Sequence, residues 1–322
     1  MQMHRNLVLD AARVAEAAAI GAMKWRGHGD EKAADQAAVD AMRQALNRLD
    51  IRGTVVIGEG ERDEAPMLFI GEEVGSGSGT GLEIDIALDP LEGTTICAKG
   101  LPNSLAVIAF AEKGKFLNAP DVYMDKIAVG GGLPEGIVDL DNTPAENLKN
   151  VADAKGKKVK DLTVCILDRP RHSELIKAVR AAGASIQLIG DGDVYGVIQT
   201  TEVNGVDLYM GSGGAPEGVL ACAALRCIGG QFQGRLMFRN DDERGRASRL
   251  GITDFDRKYS LDELASGDVI FAATGVTDGS LVQGVRMTAN GAETETIIMR
   301  SGTGTVRKIH ALHNFDRKDW IG

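Results

Sequence analysis

The sequence predicts an α/β protein built in layers, on three observations. Apolar runs of strand length alternate with helical stripes between residues 160 and 228, successive strand-like runs end on glycine and acid, and the apolar residues are mostly small and aliphatic. Hydrophobic residues make up 43% of the chain and aromatics only 4%, so the interior must be assembled from Ala, Val, Ile and Leu, which suit closely packed sheets and helices. At 322 residues the chain can bury the cores of one large or two ordinary domains.

In chain order, Ala34, Ala38, Met42, Ala45 and Leu49 recur every three or four residues, one stripe of a helix that Asp30 caps and Gly53 follows. Thr54 to Ile57 is a β-branched run stopped by Gly58-Glu59-Gly60-Glu61. A glycine-rich loop, Gly75 to Gly81, leads into Glu83 to Leu88, whose alternation reads as a strand ending on Asp89. Ser104 to Phe110 and Gly114 to Leu117 read as a hairpin across Glu112-Lys113. From residue 160 strands and helices alternate: strand at Leu162 to Leu167, helix at His172 to Ala182, strand at Ser185 to Ile189, helix at Asp193 to Thr200, strand at Val206 to Met210 and a proline-started helix at Pro216 to Ile228. That rhythm predicts a largely parallel layer with ligand-facing loops at Asp168 to His172, Gly190 to Asp193 and Gly211 to Glu217. Asn240 to Arg249 reads as a charged loop, and Val269 to Ala273, Glu295 to Met299 and Val306 to Leu312 as further strands.

Several functions are disfavoured at once. Acidic residues outnumber basic ones by 46 to 36, a formal charge of -10, so a generic nucleic-acid or anionic-membrane surface is not expected. No apolar stretch approaches the roughly 18 residues of a membrane span, and Asp10, Arg13 and Glu16 interrupt the N-terminal segment where a signal peptide needs an apolar block. A cytoplasmic protein is expected. Cys97, Cys165, Cys222 and Cys227 form no C-x-x-C pair and read as buried structural thiols, and His310 and His313 fall in a strand-like run, not on a metal-binding helix. Glycine is in excess, 41 of 322 against the usual ~7%, without a collagen period or a long Gly/Ser tract.

The chemistry lies in acids placed at strand ends: Glu59, then Asp89 and Glu92, then Glu217, with Asp35 on the early helix. Carboxylates gathered this densely repel one another unless cations occupy the space between them, and hard divalent ions take oxygen ligands of this kind. Asp89-Pro90-Leu91-Glu92-Gly93-Thr94 is the sharpest element, two carboxylates beside a Gly-Thr-Thr run that exposes backbone N–H groups and hydroxyls. Metal ligands next to an anion nest are what phosphoryl transfer requires. No P-loop pattern occurs, and the Gly75 to Gly81 loop precedes a strand where a dinucleotide loop would follow one.

Asp-Pro-Leu-Glu-Gly-Thr resembles the signature of the lithium-sensitive, metal-dependent phosphatases that include inositol monophosphatases and fructose-1,6-bisphosphatases. More narrowly, Ala34-Asp35-Gln36-Ala37-Ala38-Val39-Asp40, Val56 to Glu61, Ala65-Pro66-Met67-Leu68, Ala119 to Met124 and Gly213-Gly214-Ala215-Pro216-Glu217-Gly218 resemble the class II (GlpX-type) fructose-1,6-bisphosphatases, over residues 5–318. The resemblance implies an α/β/α/β/α sandwich. It implies a metal-binding half at 1–160, with helices and a largely antiparallel sheet, and a sugar-phosphate-binding α/β half at 161–322, the two forming one active site. Hydrolysis of the 1-phosphate of fructose 1,6-bisphosphate with two or more Mn²⁺ or Mg²⁺ ions is implied, as is a homo-oligomer, dimer or tetramer.

Position by position, Asp35 and Glu59 resemble the ligands of one ion, and Asp89, Glu92 and Glu217 those of a second. Thr94 resembles the hydroxyl that orients or helps deprotonate the attacking water. Glu92-Gly93-Thr94, Tyr123, Arg169-Pro170-Arg171, Asp191-Gly192-Asp193 and Gly214 are similar to the family's substrate contacts. Chemistry agrees with several of these: a guanidinium at Arg169 or Arg171 suits a distal 6-phosphate, and Asp191 and Asp193 can accept protons from sugar hydroxyls. Two departures stand out. The family's Gly-Asp-Lys reads Gly29-Asp30-Glu31-Lys32 here, so Lys32 can supply the lysine's charge only if that turn is not regular helix, and Arg169 stands where the family has lysine. Sedoheptulose 1,7-bisphosphate is the alternative substrate, and a non-catalytic sugar-phosphate-binding protein the alternative from another class.

Overall fold

The computed structural model describes residues 3, 5–60, 67–76, 82–202 and 205–317. Most of the glycine-rich loop, together with Glu61, Ala65 and Pro66, lies outside the described residues. The chain opens with α1 (Leu7–Met23) and α2 (Glu31–Leu46), and the Asp30 carboxylate caps α2 by accepting the Ala33 N–H at 3.0 Å. α1 has no counterpart in the periodicity reading, because an alanine-rich helix buried on most sides shows no single stripe. Its small residues let α2 approach closely: a Cβ added at Gly21 would lie 2.6 Å from the Ala37 carbonyl oxygen.

Strands β1 (Ile51–Ile57), β2 (Glu73–Val74), β3 (Leu82–Glu92) and β4 (Leu105–Glu112) follow, with the short helix α3 (Thr94–Ala98) between β3 and β4. β1 and β3 are parallel, Ile51 opposite Leu82 and Ile57 opposite Ala87, whereas β3 and β4 are antiparallel. β3 does not stop at Asp89 but continues through Pro90 to Glu92, and a register shift against β4 between Asp89 and Glu92 marks a bulge. The hairpin expected across Glu112-Lys113 does not form. Gly114 and Lys115 instead donate their N–H groups to the buried Asp85 carboxylate at 2.7 and 3.0 Å.

The chain next builds a second sheet. It comprises β5 (Tyr123–Gly130), α4 (Pro144–Lys155), β6 (Thr163–Leu167), α5 (Ser173–Ala182), β7 (Ser185–Ile189), α6 (Asp193–Ile198), β8 (Leu208–Gly214), α7 (Ala215–Ile228), β9 (Gly230–Met237), α8 (Asp241–Arg249), β10 (Lys258–Ser260) and α9 (Leu261–Leu264). Among the described residues the strand order is β10-β9-β5-β8-β6-β7, with β6 parallel to β7 and β8 and β5 antiparallel to β8 and β9. The expected parallel layer is therefore one part of a mixed sheet. Period-two alternation along β5 sends Ile127 and Val129 into a core with Leu148 and Val151 of α4 and Val179 of α5, while Met124 packs against α7 at Gly218.

The chain then returns to the first sheet as β11 (Val269–Gly275), β12 (Arg286–Thr288), β13 (Gly291–Arg300) and β14 (Thr305–Asn314), giving the order β12-β13-β11-β4-β3-β1-β2 with β14 on β13. This return corrects the expected division at residue 160. One compact unit is 1–117 with 266–322, and the other is 118–265, because β11 pairs with β4 from Leu105 to Ala111. The segment from Asn240 to Arg249 is also corrected, from loop to helix α8. Asn240 accepts the Glu243 N–H at 2.9 Å, and acids fill the first turn and arginines the last, a match to the helix dipole that no apolar stripe announces. Helices α1 and α2 cover a face of the first sheet, and α4 with α5 and α6 with α7 accompany the second, in keeping with the expected α/β layered class.

Gly21→Val tests the α1–α2 approach: overpacking should lower the melting temperature by the equivalent of roughly 1–3 kcal/mol in thermal denaturation, and an unchanged melting temperature would refute so close a contact.

Candidate active site

In the first unit, parallel pairing brings the carboxyl ends of β1 and β3 to one edge of the sheet. Glu59 lies two residues beyond β1, its N–H donating to the Leu68 carbonyl at 3.0 Å, and Asp89 and Glu92 sit in the last turns of β3. Asp89 accepts the Leu91 N–H at 3.1 Å, and the Ser104 hydroxyl donates to the Glu92 carbonyl at 3.0 Å. Glu92 is buried at 3% exposure. Gly93 adopts φ 82°, a left-handed conformation open to glycine at little strain, and Thr94 begins α3 directly after it. Left- and right-handed residues in succession turn their N–H groups toward one side, so the anion nest expected from Gly93-Thr94 has the required backbone.

Asp35 joins this end through α2. The α1–α2 connection is tied to α3 by the Gly27 N–H on the Cys97 carbonyl and the Gly29 N–H on the Ala98 carbonyl, both at 2.9 Å, and α2 packs on α3 and β3. Burial pushes the Asp35 carboxyl up from the usual carboxylate range. Lys32 cannot take the place of the family's lysine, because α2 is regular helix from Glu31 onward and Lys32 lies about 100° further round.

In the second unit the expected residues surround the carboxyl ends of β6 and β8. Arg169 lies 3.8 Å from Asp191, both half-buried, and Pro170 and Arg171 form a single 3₁₀ turn leading into α5. The Arg171 guanidinium sits 4.8 Å from the Tyr123 ring centroid and donates to the Ser212 carbonyl from Nη2 at 2.7 Å. Gly192, at φ 84°, repeats the Gly93 geometry and starts α6 at Asp193.

Asp193 is one of the acids expected to accept a sugar hydroxyl proton. It is buried, and its Oδ2 accepts from Lys126 Nζ at 2.6 Å and from the Tyr209 hydroxyl at 3.4 Å. A Cβ at Gly213 would run into that same oxygen, which is why glycine stands there. Gly214 is required for a similar reason: a Cβ would meet the Glu217 carboxylate. Glu217 Oε2 is buried and has no hydrogen-bond partner among the described residues. Burial first, and Asp193 second, push the Glu217 carboxyl from an ordinary 4.5 up to about 7. Lys126 is 1% exposed and is the cation that faces both acids.

Sequence reasoning missed Lys126, Tyr209, Ser212 and Arg239. The one available signal was Lys126 itself, a charge inside the strand-like run Tyr123-Met124-Asp125-Lys126-Ile127. Arg239 lies 5.3 Å from the Tyr123 ring, which thus carries two guanidinium neighbours. The four cysteines are buried and none is in a disulfide, and burial pushes Cys97 to about 11 and Cys165 to about 12, as inert structural thiols require. His310 and His313 are both on β14, three residues apart and so on opposite faces; His313 Nε2 is 2.7 Å from the Thr294 hydroxyl. Within neither unit do three Asp, Glu, His or Cys side chains among the described residues form a ready-made metal cage. No described helix is long and apolar enough to cross a membrane.

The sequence profile of the family described as bacterial fructose-1,6-bisphosphatase, glpX-encoded, matches residues 5–313. The chain belongs to this family. It is 46% identical over 332 residues to the class 2 fructose-1,6-bisphosphatase 1 of Escherichia coli K12, a match that covers 98% of each chain. Two proteins from Synechococcus strains JA-3-3Ab and JA-2-3B'a(2-13), named as class 2 D-fructose 1,6-bisphosphatase/sedoheptulose 1,7-bisphosphatase, are 46% and 45% identical over 98% of this chain and 97% of theirs.

Glu217 makes a prediction without any ion. Below about 4.5 its carboxyl is protonated in both folded and unfolded chains; as the pH climbs to about 7 the unfolded chain ionises first, so stability falls, by roughly 3 kcal/mol in all. Metal-free Glu217→Gln should therefore melt higher than the parent at pH 8 and level with it at pH 4. Equal melting at both pH values would show that the carboxylate is not desolvated.

Proposed function

We propose that this chain hydrolyses the 1-phosphate of fructose 1,6-bisphosphate, giving fructose 6-phosphate and inorganic phosphate. Membership of the family supports the reaction. The observation within the structure that carries it is the buried Glu217 carboxylate, whose Oε2 lacks a hydrogen-bond partner beside an Asp193 that already holds the local lysine. One lysine cannot neutralise two desolvated acids, so a further cation is called for.

The donors fit a hard divalent ion, being carboxylates throughout. On this reading Asp35 and Glu59 hold one Mn²⁺ or Mg²⁺, and Asp89, Glu92 and Glu217 a second. Such ions, when bound, acidify water and neutralise charge on the phosphoryl oxygens. The chain's own groups do the rest. The N–H groups of Gly93 and Thr94 hold phosphoryl oxygens in the nest, and the Thr94 hydroxyl orients the attacking water and passes its proton toward Asp35 or Glu59. The new P–O bond forms in line with the breaking bond to O1 of the sugar, whose oxygen takes a proton from solvent and leaves as an alcohol. Arg169 and Arg171 hold the distal 6-phosphate, Tyr123 supports it, and Asp191 accepts sugar hydroxyls. Asp193 shapes the Gly192 and Gly213 backbones beside them.

A second substrate has a specific basis, since the two Synechococcus relatives carry sedoheptulose 1,7-bisphosphatase in their names at 45% and 46% identity, beside 46% for the Escherichia coli protein. We place the chain in the cytoplasm as a homo-oligomer, dimer or tetramer; four buried cysteines outside any disulfide and the exposed Leu312 on edge strand β14 support these two assignments.

Phosphate release from fructose 1,6-bisphosphate should require Mn²⁺ or Mg²⁺ and vanish with EDTA, whereas release indifferent to EDTA would defeat the two-ion reading. Thr94→Ala should lower kcat by roughly 10²–10⁴-fold with little change in KM. Retention of full turnover by Glu217→Gln under saturating Mn²⁺ would remove Glu217 from the ligand set. Side-by-side turnover of sedoheptulose 1,7-bisphosphate decides between single and dual specificity.

A further inference from the structure

His172 is a buried titratable group, 3% exposed, that the reaction does not use. Its Nε2 accepts the Ser212 N–H at 2.8 Å, so the ring proton sits on Nδ1 and is donated to the Leu167 carbonyl at 2.7 Å. Burial holds its pKa below the ordinary value, which keeps this neutral tautomer in place. Nε2 also lies 3.1 Å from the Ser212 hydroxyl oxygen. Gly211, at φ 137°, leaves the ring room: a Cβ there would lie 3.1 Å from Nε2.

Ser212 in turn holds Arg171. Its carbonyl accepts from Arg171 Nη2 at 2.7 Å and from Nε at 3.2 Å, and its hydroxyl oxygen lies 3.1 Å from the same Nε. Two of the guanidinium's nitrogens are thereby fixed, with the plane set against Tyr123 at 4.8 Å. A guanidinium held by a strand carbonyl loses little rotamer freedom when an anion arrives, because its orientation is set before binding.

We propose that His172 and Ser212 are positioning residues for anion recognition: His172 locks the β8 backbone at Ser212, and Ser212 aims the Arg171 guanidinium at the distal phosphate of the sugar bisphosphate. This rests on the assignment of Arg171 to the substrate. A histidine that only filled the core would not need its acceptor nitrogen on the residue whose carbonyl holds the arginine. The ring ties the carboxyl end of β6, at Leu167, to β8 while setting the arginine, so strand pairing and ligand geometry share one side chain.

The test is a double-mutant cycle with fructose 1,6-bisphosphate and Mn²⁺, reading KM and kcat separately. Arg171→Ala should raise KM roughly ten- to hundredfold, as the loss of a charge-assisted contact does, with kcat within about threefold. His172→Phe should raise KM roughly three- to tenfold in the parent chain and leave it unchanged once Arg171 is Ala. His172→Gln, which keeps a donor and an acceptor, should recover most of the loss. Ser212→Ala removes one hydroxyl without touching the backbone pairing; it should show the same KM-only pattern at a smaller size, and it carries the test if His172→Phe does not fold. Equal KM effects of His172→Phe with and without Arg171, or no KM effect of either His172→Phe or Ser212→Ala while Arg171→Ala raises KM, overturns the positioning role and leaves the Arg171 assignment standing. An unchanged KM in Arg171→Ala overturns that assignment itself, and the positioning role with it.

Discussion

One lysine serves two buried acids. Lys126 crosses from β5 to Asp193 at 2.6 Å, and Glu217 lies beside that pair with no donor among the described residues on its Oε2. Taking a carboxylate out of water is costly unless a charge of opposite sign comes with it, and here the charges do not balance. Much of the local backbone follows from this cluster. Gly213 and Gly214 are glycines because the two carboxylates occupy the space a Cβ would need, and Gly192 turns the chain left-handed so that Asp193 can start α6 pointing inward. A buried carboxyl without a matching cation keeps its proton until a cation replaces it, and the rise of the Glu217 carboxyl to about 7 expresses that imbalance.

The acid surplus and the anionic substrate are reconciled by location. A chain with a formal charge of -10 repels phosphate at long range. On the proposed reading the short-range field is set instead by local groups at the strand ends: cations held by the carboxylates and the Gly93 N–H in one unit, and the Arg169 and Arg171 guanidinium groups in the other. The glycine excess belongs to the same account. Gly93 and Gly192 each place a left-handed residue just before a helix, so two stretches of backbone distant in sequence expose their N–H groups in the same way.

Much of the fold is legible in the sequence because period-two and period-3.6 patterns are local. The strand at Ser185 to Ile189 and the helices near Asp30, His172 and Pro216 appear where the patterns put them. The failures have physical causes. α1 is buried on most sides and α8 is charged throughout, so neither shows a stripe. The division into units hides from sequence because β11 pairs with β4 across about half the chain, a non-local contact with no local signature. The candidate site was legible in its acids, whose density at strand ends is unusual, and in the arginines at Arg169 and Arg171. It was illegible in the groups that hold those residues in place: Lys126, Tyr209 and Ser212 sit inside strands, where side chains normally serve packing alone.

Anomalous diffraction at the manganese edge from crystals soaked in Mn²⁺ addresses the central claim most directly. The account predicts Mn²⁺ peaks bonded to Glu217 together with Asp89 and Glu92, and to Asp35 with Glu59, at oxygen distances of roughly 2.1–2.3 Å. Peaks confined to other acids, with the Glu217 carboxylate left unbonded at saturating Mn²⁺, would contradict it.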